Sequence, residues 1–248
     1  MTAPLIVPDA ARNAAKRVEQ LSDDVVLYCG DCMEVMPHIG TVDAVVTDPP
    51  YGVGESNKKN LSRFKLAECT IYEAGDFDNQ PATQEQIALC RRSSKWQIIF
   101  GGNYFDLPPS KCWLVWDKLN GNSDFADCEL CWTNLNRAVR RIYWQWNGMI
   151  RKGEARGVKR VHLTQKPVEV MSFCLGFVPD ATTIMDPFMG SGTTGVAAVK
   201  LGRQFIGIEL DDAYFDIACK RISDALKQPD MFVAAAKNAE PQQDSMFD

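Results

Sequence analysis

No apolar run in this 248-residue chain approaches the roughly 18 residues of a membrane span, and the start MTAPLIVPDAARNAAKR has no signal-peptide core. A chain without either is expected in the cytoplasm, with no membrane partner. An even cysteine count is also missing: nine cysteines are scattered along the chain, which argues for free thiols rather than a disulfide framework. Two CxxC pairs, Cys29–Cys32 and Cys128–Cys131, could complete a four-thiolate zinc site. They lie about a hundred residues apart, and each falls inside a segment with a better explanation, so no metal is expected. No internal repeat is visible, and 24% charged with 46% hydrophobic residues rules out a wholly disordered, collagenous or coiled-coil chain.

What is present is an uneven charge. Residues 137–166 hold nine Lys or Arg and one acid, Glu154, a local +8 in a chain of net charge −5, which leaves −13 on the rest. A basic stripe on an acidic body suits contact with a polyanion. A solvated charged face explains the stripe about equally well when it is taken alone.

Short apolar strands alternate with helical patterns. Residues 10–21 read as an amphipathic helix, Val25–Tyr28 as a strand, Cys32–Met36 as a helix start, and Asp43–Thr47 as a second strand. A polar stretch over 54–81 has no strong period. Then follow a helix (83–94), two strands (KWQIIF and KCWLVWDK), and a helix in DFADCELCWTN that places Cys128 and Cys131 on one face. RIYWQWNGMIRKG carries a two-residue hairpin signal at Asn147-Gly148. A helix follows in TQKPVEVMSFCLGFV, then strand, glycine loop, helix and strand in 181–211, and a closing helix. The expected fold is an α/β sandwich with a mostly parallel sheet and an antiparallel hairpin edge. Residues 1–23 are expected to form an N-terminal extension, 24–226 the domain with small insertions at 54–81 and about 120–165, and 227–248 a loose tail.

Gly190, Gly192 and Gly195 form GxGxxG between an apolar strand and a helix, and Glu209 ends the next strand. Such glycines let backbone approach a ligand, the helix start favours negative charge, and the acid can accept both ribose hydroxyls. The pattern indicates a cofactor containing a nucleoside. Only 53 residues follow Gly195, too few to finish a dinucleotide fold with a substrate domain. Asp186 at the strand tip would repel a pyrophosphate but suits an ammonium, which points to S-adenosylmethionine.

Asp48-Pro49-Pro50-Tyr51 follows the strand DAVVT. Two prolines fix two φ angles and remove two donors, so the loop presents carbonyls. With the Asp48 carboxylate and the Tyr51 ring, it suits a flat base carrying an exocyclic amino group.

Together TDPPYG, the QKP helix start and MDPFMGSGTTGVAAVKLGRQFIGIEL resemble the amino-methylating DNA methyltransferases. With the DPPY loop ahead of the glycine loop, the order resembles their circularly permuted beta class, of bacterial or phage type. The resemblance covers roughly residues 24–222. It implies the Rossmann-like methyltransferase fold, S-adenosylmethionine as cofactor and transfer to a flipped base in duplex DNA. It further implies that Asp48, Pro49, Pro50 and Tyr51 grip the base, with Asp48 also contacting the cofactor. Phe188, Gly190, Gly192 and Thr193, with Asp186, would line the cofactor loop, and Glu209 beside Leu210 would bind the ribose. Asp31 and Cys32 would sit near the cofactor adenine, and Lys166 with Pro167 would close over the methionine end.

The stretch from Arg151 to Gln165 is short, so no large separate recognition domain is expected. Candidate DNA contacts are Lys58, Lys59, Arg63, Arg137, Arg140, Arg141, Arg151, Lys152, Arg156, Lys159 and Arg160. Tyr143, Trp144 and Trp146 interleave with them, and about half of such aromatics are expected in sheet packing. A homodimer is expected. Asp at the head of the PPY motif favours adenine N6 in this family; cytosine N4, an RNA or protein-amide substrate, and an inactive binding module are the alternatives. No nuclease-like segment is visible in the sequence, so a stand-alone methyltransferase is expected rather than a fused restriction enzyme.

Overall fold

A computed structural model describes residues 3–52, 80–120, 126–147, 150–151 and 165–228. The strands that build its centre are β2 (Val25–Cys29), β3 (Val42–Thr47), β4 (Ser94–Phe100), β10 (Thr183–Asp186) and β11 (Gln204–Glu209). All five run parallel, in the spatial order β2-β11-β10-β3-β4. Their near-continuous apolar sequences fit strands covered on both faces. Alternate residues supply the two covers. Val25, Leu27 and Cys29 face one core with α4 (Val168–Leu175), α5 (Thr193–Lys200) and α6 (Asp212–Lys227). Val26 and Tyr28 face the other, with α1 (Asp9–Ala14), α2 (Cys32–Val35) and α3 (Gln84–Arg92).

Parallel strands align their carboxyl ends. Thr47, Asp186 and Glu209 therefore share one edge of the sheet. From β10 the chain crosses to β11 on one side, whereas from β3 it crosses to β4 on the other. The crevice between β10 and β3 is the switch point where open α/β sheets bind ligands.

Two elements differ from the sequence reading. The helix expected over 10–21 stops at Ala14, and β1 (Arg17–Ser22) continues as an edge strand antiparallel to β2. Residues placed in an N-terminal extension thus complete the sheet. Pairing with the open edge of β2 outweighs a weak helical period, and Arg17 and Glu19 keep that edge charged. The helix expected in DFADCELCWTN is instead β6 (Cys128–Thr133), inserted antiparallel between β4 and β5 (Trp113–Asp117). Leu130, Cys131, Trp132 and Thr133 suit a pleated slot paired on both sides. Three residues apart on a strand, Cys128 and Cys131 point to opposite faces, so they form no helical pair.

Beyond β5, the strand β7 (Arg140–Tyr143) closes the sheet in parallel. Seven of the nine strands share one direction; β1 and β6 oppose it. The expected hairpin forms, but as a separate two-stranded sheet of β8 (Trp146–Asn147) and β9 (Ile150–Arg151) rather than as the edge of the main one. Asn147 itself pairs with Ile150, so it lies in the strand rather than in the turn expected at Asn147-Gly148.

Candidate active site

The Asp48–Tyr51 loop leaves β3 at the switch point and is held in three ways. Thr47 Oγ1 donates to Asp186 Oδ1 at 2.7 Å, joining the tips of β3 and β10. Ala82 N–H donates to the Pro50 carbonyl at 2.8 Å, and Tyr51 bridges to Pro81. Of the two proline carbonyls, Pro49's is thus the one with no backbone donor among the described residues.

Gly101, directly after β4, has φ +63°, and a Cβ there would overlap the Tyr51 ring. Only glycine tolerates both the backbone angle and the approach. Tyr104 stacks on Tyr51 with centroids 5.0 Å apart and 15° between planes, while Phe105 meets it edge-on.

Asp48 is doubly engaged. The Tyr51 hydroxyl donates to Oδ1, and Lys166 Nζ donates to Oδ2 at 2.5 Å. Lys166 is 7% exposed and arrives from the residue before Pro167, which caps α4. Its ammonium also lies 3.2 Å from Glu129 Oε2, and Glu129 Oε1 is 2.6 Å from Lys118 Nζ. The result is a chain of alternating charge: Lys118, Glu129, Lys166, Asp48. Burial opposes the Lys166 charge, but Asp48 and Glu129 outweigh it and raise its pKa. Burial likewise opposes the Glu129 charge, yet Lys166 and Lys118 hold that carboxyl below its ordinary value. Burial pushes the Asp48 carboxyl up against the pull of Lys166, with Glu129 adding to the rise. Burial pushes the Tyr51 phenol well up, and the Asp48 charge adds to it.

Across the crevice, Asp186 is buried. Oδ1 accepts from Thr47 and from Phe188 N–H at 3.1 Å, and Oδ2 from Thr194 Oγ1 at 2.6 Å. Of about four acceptor sites on a carboxylate, three are used among the described residues. Burial lifts this carboxyl to about 6 against those hydrogen bonds. Glu209 Oε2 accepts Gly190 N–H and Oε1 accepts Asp211 N–H, both at 2.8 Å. Burial pushes it up to about 7 against those two amides. Gly192, at φ +79°, caps α5, whose first amides lack partners within the helix. Behind the loop, Arg221 Nη1 on α6 donates to the Ser191 carbonyl (2.5 Å), Ser191 Oγ (2.8 Å) and Thr193 Oγ1 (3.2 Å).

Gly30 N–H donates to the Glu209 carbonyl at 2.9 Å, which sets Asp31 and Cys32 beside the tip of β11. Asp31 caps α2 by accepting Met33 N–H, while Cys32 is buried, with its thiol pushed up to about 12 by burial. Phe188 packs half-buried against the core, and Leu210 is 59% exposed.

The structure therefore assembles the expected base loop, cofactor loop, Glu209 and Lys166 at one crevice. It separates the basic stripe. Tyr143 ends β7 on the site side, whereas Arg137 precedes β7 at the opposite end of the sheet. Arg140 and Arg141 are exposed; Arg141 lies 3.7 Å from Asp117 and over the Tyr143 ring. Trp144 and Trp146 pack against the core. Lys58, Lys59, Arg63, Lys152, Arg156, Lys159, Arg160 and the side chain of Arg151 lie outside the described residues. Among the described residues no group of three or more His, Cys, Asp or Glu is placed to hold a metal, and no helix is long and apolar enough to cross a membrane.

Sequence reasoning missed Glu129, Lys118, Gly101, Tyr104, Thr47, Thr194 and Arg221. Glu129 was hidden by the helical reading of its strand. Gly101-Gly102 after an apolar strand was the one available signal.

Residues 78–220 match the family described as DNA methylase, the N6/N4 methyltransferases. The type II methyltransferase M2.LlaDCHI of Lactococcus lactis subsp. cremoris is 42% identical over 247 residues, covering 81% of this chain and 90% of the relative. The type II methyltransferase M.HinfI of Haemophilus influenzae is 27% identical, covering 81% and 68%. Among solved structures, the M1.HpyAVI–SAM complex aligns with TM-score 0.48 at 24% identity, over 80% of this chain and 98% of that one. A match over more than half of the chain, and a relative at 42% identity along most of both lengths, make this protein a member of the N6/N4 DNA methylase family.

Proposed function

We propose that the chain transfers a methyl group from S-adenosylmethionine to adenine N6 in duplex DNA after the base has left the stack. The observation that carries this reading is the Asp48 carboxylate beside a Pro49 carbonyl that accepts no backbone donor among the described residues, in a loop tied through Thr47 to the cofactor loop. Asp48 and the Pro49 carbonyl would each accept one amino hydrogen, which turns the nitrogen lone pair toward the crevice. The bound cofactor supplies an electrophilic sulfonium methyl; the protein's part is positioning and electrostatics. Tyr51 offers an aromatic face to the base.

The residues present fit that cofactor. Glu209 would accept the ribose hydroxyls, the α5 amides would take its carboxylate, and the unused acceptor site of Asp186 suits its ammonium. Gly190, Gly192, Thr193, Phe188 and Leu210 would line the site, with Asp31 and Cys32 at the adenine end and Lys166 near the methionine end. DNA contacts would come from the basic residues of 140–160 and of the 54–81 segment, with Arg137 left out because it lies at the opposite end of the sheet, and a homodimer would extend the grip. The Asp at the head of the loop favours adenine, and the DPPY loop preceding the glycine loop supports the permuted class. A place in a bacterial or phage restriction-modification system, in the cytoplasm, accords with the type II relatives.

Sequencing of modified bases in DNA from cells expressing the chain tests the reading. N6-methyladenine at one motif is expected. N4-methylcytosine would move the assignment to the other amino base, and unmodified DNA would overturn it.

A further inference from the structure

The two features of the loop that would recognise a base are both covered by the protein's own groups. The Lys166 ammonium sits where an exocyclic amino group would donate to Asp48 Oδ2, and the Tyr104 ring, 53% exposed, lies on Tyr51 where an aromatic base would stack. An arriving neutral amino group must compete with a cation 2.5 Å from that oxygen. The cation therefore has to go elsewhere, and a buried ammonium cannot go unpaired.

Its alternative partner is already beside it. Glu129 Oε2 is 3.2 Å from Lys166 Nζ yet accepts no hydrogen bond among the described residues. Glu129 Oε1 is anchored by Lys118, so Glu129 stays in place while the lysine head turns. The other neighbours of the ammonium, the Tyr51 and Phe100 rings at 5.7 and 5.6 Å, carry no counter-charge.

We propose that Glu129 is a positioning residue for methyl transfer, taking the Lys166 ammonium from Asp48 when the target amino group docks. Lys166 is then a stand-in for the substrate, and Glu129 lets it leave without exposing a bare charge. The inference rests on the DNA-methylation reading and deepens it.

The test uses duplex DNA carrying the motif found by base sequencing, with 2-aminopurine next to the target adenine to report flipping and normal DNA for single-turnover methyl transfer. Glu129→Gln keeps the shape but commits Lys166 to Asp48. We expect flipped fraction and transfer rate to fall together by tenfold or more, with S-adenosylmethionine affinity within twofold of wild type. Glu129→Asp retains the charge and should retain most of the flipping. Adding Lys166→Met to Glu129→Gln restores the charge balance of the cluster and frees Asp48, so flipping should recover to wild-type level or above. That double variant also keeps the test sharp if Glu129→Gln alone folds poorly. Normal flipping in Glu129→Gln, or a double variant that flips no better than Glu129→Gln, overturns the proposal while leaving the methyltransferase reading intact. A wild-type chain that modifies no DNA would sink both.

Discussion

Thr47 and Asp186 join the two halves of the site: the hydroxyl ending β3 donates to the carboxylate ending β10 at 2.7 Å. Thr47 precedes the proposed base loop, and Asp186 begins the proposed cofactor loop. Because Asp186 also binds Phe188 and Thr194, one buried carboxylate would set the distance between the proposed methyl-donor and methyl-acceptor sites. A misplacement of about 1 Å in such a pair costs roughly a hundredfold in rate.

Asp48→Ala should abolish methyl transfer while leaving the fold and most of the DNA affinity. The side chain meets Tyr51 and Lys166 and accepts no backbone donor among the described residues. Radiolabelled methyl transfer and a DNA gel shift read the two properties; wild-type turnover would refute the role.

Glu209→Ala should weaken S-adenosylmethionine binding by about 1–3 kcal/mol, the cost of unpaired ribose hydroxyls. The pH dependence has a definite sign. Burial lifts the Glu209 carboxyl from 4.5 to about 7, so the folded protein without cofactor holds this proton more tightly than the unfolded chain. That contribution to stability is complete below about pH 4.5 and is lost as pH rises through about 7. Cofactor affinity should run the other way, rising through the same window as the carboxylate forms. Glu209→Gln should flatten both curves, as followed by thermal melts and calorimetry.

Arg221→Met should weaken cofactor binding about tenfold without touching DNA affinity, a loss of about 1.4 kcal/mol. The guanidinium, on α6, braces Ser191 and Thr193 at the start of α5. Unchanged calorimetry would show that the glycine loop holds its own shape.

Gly101→Ala should cost about 1–3 kcal/mol in backbone strain at φ +63° and also push Tyr51 out of register. We expect methyl transfer to collapse while S-adenosylmethionine still binds, because the cofactor loop lies on β10 and not β4. Equal losses of both activities would point to global unfolding.

Neutralising Arg156, Lys159 and Arg160 together should flatten the slope of log affinity against log salt by roughly 0.9 per lost phosphate contact. Arg137→Ala, at the far end of the sheet from the base loop, should leave the slope unchanged. A changed methylation motif with an unchanged slope would instead mark the triple as base readers.

The parts legible from sequence were those whose chemistry is local. Two prolines and an Asp after a β-branched strand, or three glycines between strand and helix, state their backbone geometry within a few residues. Val25–Cys29, Val42–Thr47 and Gln204–Glu209 were legible because buried parallel strands have no polar face to blur. Arg17–Ser22 and Cys128–Thr133 were misread because their apolar residues fit a helical spacing as well as a pleat. Only an unpaired neighbouring strand decides between them, and that neighbour is supplied by the fold.

The sequence by itself determined the two loops, the acid at Glu209 and the order in which they occur. The tertiary structure alone decided that Glu129, 37 residues before Lys166 and on a strand inserted out of order, would face the same ammonium as Asp48. Charge pairing of this kind is set by distance in space. A carboxylate in an alternating segment carries no local mark of the cation it will meet once β6 slides between β4 and β5.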